Sequence, residues 1–217
     1  MSTLKADLVT AVTTNGALKV KGLGSGKVKI GDGELIWPDA DGSANQYIKT
    51  DGSANLAFAT LPTAGFTLGT ETATTSGNSV IIGSIPTGTK IIIAQFEGCS
   101  TDGTGAIGLR LGDSGGLETS GYISNSVDVS ASPQVLQHTT RLGLVSSFIA
   151  ARAFYGSAIL TLKDATNNTW CMSSVINDAN DENNIGSGTK SLSGELTQIA
   201  VNSGNTWDAG DFSIFYM

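Results

Sequence analysis

Phe154–Tyr155–Gly156–Ser157–Ala158–Ile159–Leu160–Thr161–Leu162–Lys163–Asp164–Ala165–Thr166–Asn167–Asn168–Thr169–Trp170–Cys171–Met172–Ser173–Ser174–Val175–Ile176 is the stretch that decides the fold. Phe154, Ala158, Leu160 and Leu162 keep a period of two, and so do Trp170, Met172 and Ile176. A period of two is the mark of a strand with one buried face. A cluster of Asp and Asn separates the two runs, as turn chemistry requires. Outward from here the pattern repeats. Ile92 and Phe96 alternate against Ile91 and Ile93, and Phe212, Ile214 and Tyr216 alternate near the C-terminus. Strands are expected near 79–85, 89–97, 105–111, 120–124, 142–148, 152–163, 168–176, 190–201 and 211–216. The stretch 134–152, with Val135, Leu136, Leu142 and Leu144, reads equally as a strand pair or a short helix. So many short strands without a strong helix predict an all-β protein, an antiparallel jelly-roll-like β-sandwich with an N-terminal extended repeat.

Composition agrees with that class. Of 217 residues 14% are charged, and 28 are glycine. So few charges argue against a coiled coil, which needs Lys and Glu on its flanks. A net charge of −7 argues against nucleic acid as a partner. No apolar run reaches the roughly 18 residues of a membrane helix, and no signal-peptide pattern opens the sequence. Cys99 and Cys171 are too few for a disulfide framework and are expected as reduced, packed thiols.

Four segments are expected: 1–16 as an attachment peptide, 17–66 as a β-repeat shaft, 67–78 as a linker and 79–217 as the sandwich. Leu4, Leu8 and Val12 fall four apart, the spacing of one face of a short helix, which reads as a frayed terminus or as a peptide that docks into a larger assembly. The pentapeptide Asp-Gly-Ser-Ala-Asn occurs at 41–45 and again at 51–55. Its Asp-Gly pairs supply tight turns around short strands that are not stable alone. Three copies of the chain wound together would bury Leu35, Trp37, Ile48, Leu56 and Phe58, so the repeat points to a homotrimer.

Several motifs suggest chemistry. Gly112–Asp113–Ser114–Gly115–Gly116 has the wording of a serine-protease nucleophile turn, which needs a His base and an orienting Asp. The sole His, His138, lies 24 residues downstream in a polar run, so the stretch is read as a turn. Gly22–Lys27 lacks the residues of a phosphate loop at Lys21 and Val28. The run 177–184 is rich in carboxylates and amides, yet Asn183 and Thr189 stand where an EF-hand needs Gly and Glu. Asp178, Asn180, Asp181 and Glu182 are instead expected in a solvated loop, where they would hydrogen-bond sugar hydroxyls. Loops near 98–105, 112–118 and 177–187 form the expected contact surface, because loops carry binding on sandwich scaffolds. Trp170 is expected in the core and Trp207 at the mouth of the barrel. No metal, cofactor or catalytic residue is expected.

Several strings also resemble bacteriophage virion fibres of the marine-phage type. They are the opening Met1–Asp7, the block Gly31–Pro62, Ile85–Lys90, Leu111–Tyr122, Asn168–Ser173 and the ending Trp207–Tyr216. The resemblance implies a trimeric structural protein, a short fibre or spike with a β-sandwich tip, assembled in the host cytoplasm into the virion. Its partners would be other virion proteins and host surface polysaccharide. Alternatives are a capsid decoration or head fibre, a polysaccharide-cleaving tailspike, and a secreted carbohydrate-binding module.

Overall fold

The computed structural model describes residues 29–30, 35–38, 41–60, 65–150, 152–179 and 182–217, with side chains from 35 onward. The attachment residues Leu4, Leu8 and Val12, the 22–27 stretch, Asn180 and Asp181 lie outside the described residues. The chain divides into two compact units, Met1–Thr63 and Ala64–Met217.

In the first unit, β1 (Lys29–Ile30) pairs with β2 (Leu35–Ile36), and β3 (Gln46–Thr50) pairs with β4 (Leu56–Thr60). The two pentapeptide copies do different work. The second is the β3–β4 turn. There the Asp51 carboxylate accepts the Ser53 and Asn55 amides at 2.7 and 3.1 Å, and the Asn55 side chain closes back on it at 2.8 Å. Gly52 and Ala54 carry positive φ in that turn. In the first copy it is Asn45 that carries positive φ, and the Ser43 amide is held by Gln46 Oε1. A two-stranded hairpin of five-residue strands is marginal alone. Among the described residues of this unit, Leu35 on β2, Trp37 just after it, and Tyr47 and Ile48 on β3 are exposed.

The second unit is an antiparallel β-sandwich. Its strands are β5 (Thr67–Leu68), β6 (Thr72–Ala73), β7 (Ser79–Ile82), β8 (Ile91–Thr101), β9 (Gly105–Asp113), β10 (Gly116–Leu117) and β11 (Tyr122–Val129). They continue as β12 (Gln134–His138), β13 (Leu142–Phe148), β14 (Phe154–Asp164), β15 (Thr169–Asp178), β16 (Asn183–Ser191), β17 (Gln198–Ser203) and β18 (Trp207–Tyr216). The larger sheet runs β12-β11-β16-β15-β14-β8-β18, with β5 and β6 both pairing with β18. The smaller runs β7-β17-β9, with β13 and β10 both pairing with β9.

Alternation fills the space between the sheets. Phe96, Phe154, Phe212 and Trp207 form one aromatic cluster, with centroids 5.3 to 6.0 Å apart and Phe148 edge-on to Phe154. Every buried apolar side chain of the described residues lies between Val80 and Ile214, so this unit carries a core of its own. Trp207 is 1% exposed, at the first position of β18, and packs against Phe154.

Four expectations change. Residues 67–73, expected as part of a linker, add two short strands to β18. The run 190–201 is not one strand; Leu192–Thr197 separates β16 from β17. The stretch 134–152 is strands, but β12 pairs with β11 and β13 with β9, in different sheets. The loop expected across 177–187 shrinks to a turn, because β15 continues to Asp178 and β16 begins at Asn183. Polar Asn and Ser hid those strand ends, since propensity treats them as turn formers.

Between β13 and β16 the sheets approach closely. A Cβ on Gly186 would lie 2.1 Å from the Gly143 carbonyl oxygen, and one on Gly143 would lie 2.1 Å from the His138 ring. The lining here is polar: His138 Nε2 shares a 2.7 Å hydrogen bond with Ser126 Oγ, and the Gly143 amide donates to Ser124 Oγ at 2.9 Å.

Candidate functional site

Three groups of carboxylates mark places where the sandwich meets solvent. The first is the β15–β16 turn. Arg152, just before β14, reaches across it, and its Nη1 donates to Asp178 Oδ2 at 2.6 Å and Glu182 Oε2 at 2.7 Å. The two carboxylates hold the guanidinium more firmly protonated than usual. The Asp178 amide donates to the Glu182 carbonyl at 3.0 Å, which closes the turn. Asp178 is 1% exposed, so it is an anchor of the turn and not a residue that meets a ligand. That corrects the expectation for Asp178. Period two continues through Trp170, Met172, Ser174, Ile176 and Asp178, and would have placed its side chain inward. Glu182 is half-buried and also occupied by Arg152.

The second group surrounds the β9–β10 turn. Asp113 Oδ1 accepts the Gly115 amide at 2.7 Å, and its other oxygen accepts the Ser193 hydroxyl at 2.6 Å. These bonds, Ser193 first, hold its carboxyl below the usual range. Glu118 accepts the Ser193 amide at 2.7 Å and pairs with Lys190, whose ammonium sits 5.3 Å over the Tyr122 ring. Burial pushes Glu118 up, but hydrogen bonds from Lys190 and Ser193 outweigh it and hold the carboxyl low. Burial pushes the Tyr122 phenol up to about 12. Ser114 is exposed at the turn, while His138 is buried against Ser126. The geometry is that of a hydrogen-bonded turn, with its acid satisfied by Ser193 and its serine away from the imidazole's partner.

The third group is a groove of about 350 Å³ beside β8 and β18, lined by Glu71, Glu97 and Asp211 together with Phe215 and Leu68. Sequence reasoning missed it, because its acids come from a connection and two strands more than 100 residues apart. The Asp211 charge and a hydrogen bond with Asp211 hold the Glu71 carboxyl above its usual value. Carboxylates lining a groove can accept hydrogen bonds from hydroxyl donors. Among the described residues no group of three or more His, Cys, Asp or Glu is arranged to hold a metal ion.

Both cysteines are free thiols. Cys99 is buried under a paired bulge of β8 and β18, and burial pushes its thiol up to about 11. Cys171 is half-buried on the outer face of the larger sheet. Trp170 is 2% exposed, in the core. No family model matches this chain, and neither does any curated protein or solved structure.

Proposed function

We propose that this chain is a virion structural protein, a short trimeric fibre or spike that displays the sandwich to the host surface. The observation that carries the reading is the contrast between the two units. The sandwich buries its own core, whereas the hairpin unit leaves Leu35, Trp37, Tyr47 and Ile48 exposed. A short chain with apolar strands and no second layer is built to be completed by other copies. A repeated pentapeptide spaced by ten residues suits such a segment.

The strand order supports a jelly-roll reading of the tip. β6-β18-β8-β14 in one sheet and β7-β17-β9-β13 in the other interleave as two Greek keys, with β10–β12 and β15–β16 as insertions. The contact to host glycan is proposed for Asn180 and Asp181, with Glu182, which also holds Arg152, beside them in the sequence, and Asp178 is withdrawn from it. Each contact is weak, and three on one fibre supply avidity. The protein acts by holding on rather than by cutting.

Two measurements test this together. Light scattering of the full chain, diluted until its mass no longer falls with concentration, should give three times the chain mass. A surface-polysaccharide array should retain the full chain, and Asp181→Ala with Glu182→Gln should reduce retention at least about tenfold. A monodisperse monomer that no polysaccharide retains would refute the reading, and oligosaccharide release would replace it with a tailspike enzyme.

A further inference from the structure

The outer face of the larger sheet is made of residues that point away from the core. Across β12, β11, β16 and β15, Val135, Val127, Ile185 and Val175 stand in register in one row. Val135 is 71% exposed, Val175 59% and Ile185 48%. Ile123 and Ile159 extend the apolar surface on β11 and β14. Between them are Ser, Thr and Asn, short side chains that keep the face flat. The neighbouring charges sit at its ends, Lys163 and Asp164 at the β14–β15 turn and Glu97 and Asp211 on β8 and β18. An antiparallel sheet that faces water carries polar residues at its outward positions, usually with charges among them. This one carries β-branched aliphatics where that pattern expects Lys or Glu.

We propose that this face is a self-association surface, occupied by the same face of a second copy of this chain. Three observations favour that occupant. The protein carries a net charge of −7, so two copies meet at least cost on a surface that holds no charge. A sheet of six strands, β12 through β8, about 4.8 Å apart and about eight residues long, offers roughly 780 Å². That is close to the about 800 Å² that each partner gives to a stable interface. A flat polysaccharide would instead need several aromatic platforms, and among the described residues of these six strands Tyr155 is the one exposed aromatic side chain, with Trp170 and Trp207 buried. The same patch on both copies gives a twofold, self-complementary contact.

The inference is independent of the virion reading, and the test keeps them apart. The fragment of residues 64–217 lacks the hairpin unit and keeps the whole core, so its mass reports on the face alone. By sedimentation at micromolar concentration it should be larger than one chain. Val175→Lys should return it to one chain, with apparent Kd at least about 100-fold weaker, because each copy would bury a charge against the other's apolar face. Ile81→Lys, exposed on the other sheet, should leave the mass unchanged. Ser173→Lys replaces Val175→Lys if the latter does not fold. Cys171 gives a readout without any variant: its maleimide labelling should slow as the wild-type fragment is concentrated. A fragment that stays monomeric at about 100 μM, or labelling that does not change with concentration, overturns the proposal. If the full chain is then still trimeric, the fibre reading stands without it.

Discussion

Gly186→Ala should be one of the most damaging single methyls among the described residues. The added Cβ would lie 2.1 Å from the Gly143 carbonyl oxygen and 2.5 Å from Ser174 Oγ. Ordinary contact begins near 3.4 Å, so 3.4 − 2.1 = 1.3 Å of separation must be found. Sheets in a sandwich normally lie about 10 Å apart because side chains fill the gap, and here two glycines let β16 and β13 close in. The obstacle is backbone, and both strands are fixed: β16 pairs with β11 and β15, and β13 with β9. Overpacking typically costs about 1–3 kcal/mol, and a backbone obstacle puts this case near 3 kcal/mol. For a domain of this size that is roughly 6–12 °C in Tm. The assay is thermal unfolding of the full chain by near-UV circular dichroism, with Gly83→Ala as the control. Gly83 has nothing within 4 Å of its would-be Cβ, and its variant should melt within about 2 °C of wild type. If Gly186→Ala also melts within that window, the close approach of the sheets is wrong.

Arg152→Ala should lower the midpoint of urea unfolding, because it takes one charged partner from the buried Asp178 carboxylate, and Asp178→Asn should recover part of the loss. Acid should weaken the sandwich through His138. Burial, then the Arg141 charge, hold its folded pKa below 6.5, so as pH falls through 6.5 the unfolded chain takes up a proton that the folded one refuses. Stability therefore falls over that window, and His138→Gln should flatten the slope of Tm against pH there. Glu71 has the opposite sign: its raised pKa means stability is lost as pH rises above the ordinary Glu value of 4.5, so Glu71→Gln should raise Tm at pH 7 and leave it unchanged at pH 4. Maleimide at pH 8 should leave Cys99 unmodified in the folded protein and modify it in urea, because burial pushes its thiol up to about 11. Labelling of folded Cys99 would show that the β8–β18 bulge opens.

Period two alone determined much of this protein. Phe154 to Leu162 and Trp170 to Ile176 alternate in the sequence, pair with each other, and bury the residues that the alternation selects. The Asp-Gly and Asp-Asn turns were equally legible, because turn chemistry is local to four or five residues. The larger decisions were made between strands far apart in sequence. β8 pairs with β18 across more than 100 residues, and no local pattern chooses that partner. The same distant pairing assembles the Glu71–Asp211 groove. The closing of one sheet on the other brings Gly143 against Gly186, and it leaves the row that contains Val175 and Ile185 on the uncovered side of the larger sheet. Asp178 lies between the two cases. Its alternation pointed inward, but its composition pointed to solvent, and the guanidinium of Arg152 helps make the inward position tolerable for a carboxylate. A sequence states which side chains leave water and which residues turn the chain; it does not state which buried charge meets its partner or which apolar face stays uncovered, because both depend on contacts that exist only when the sheets close.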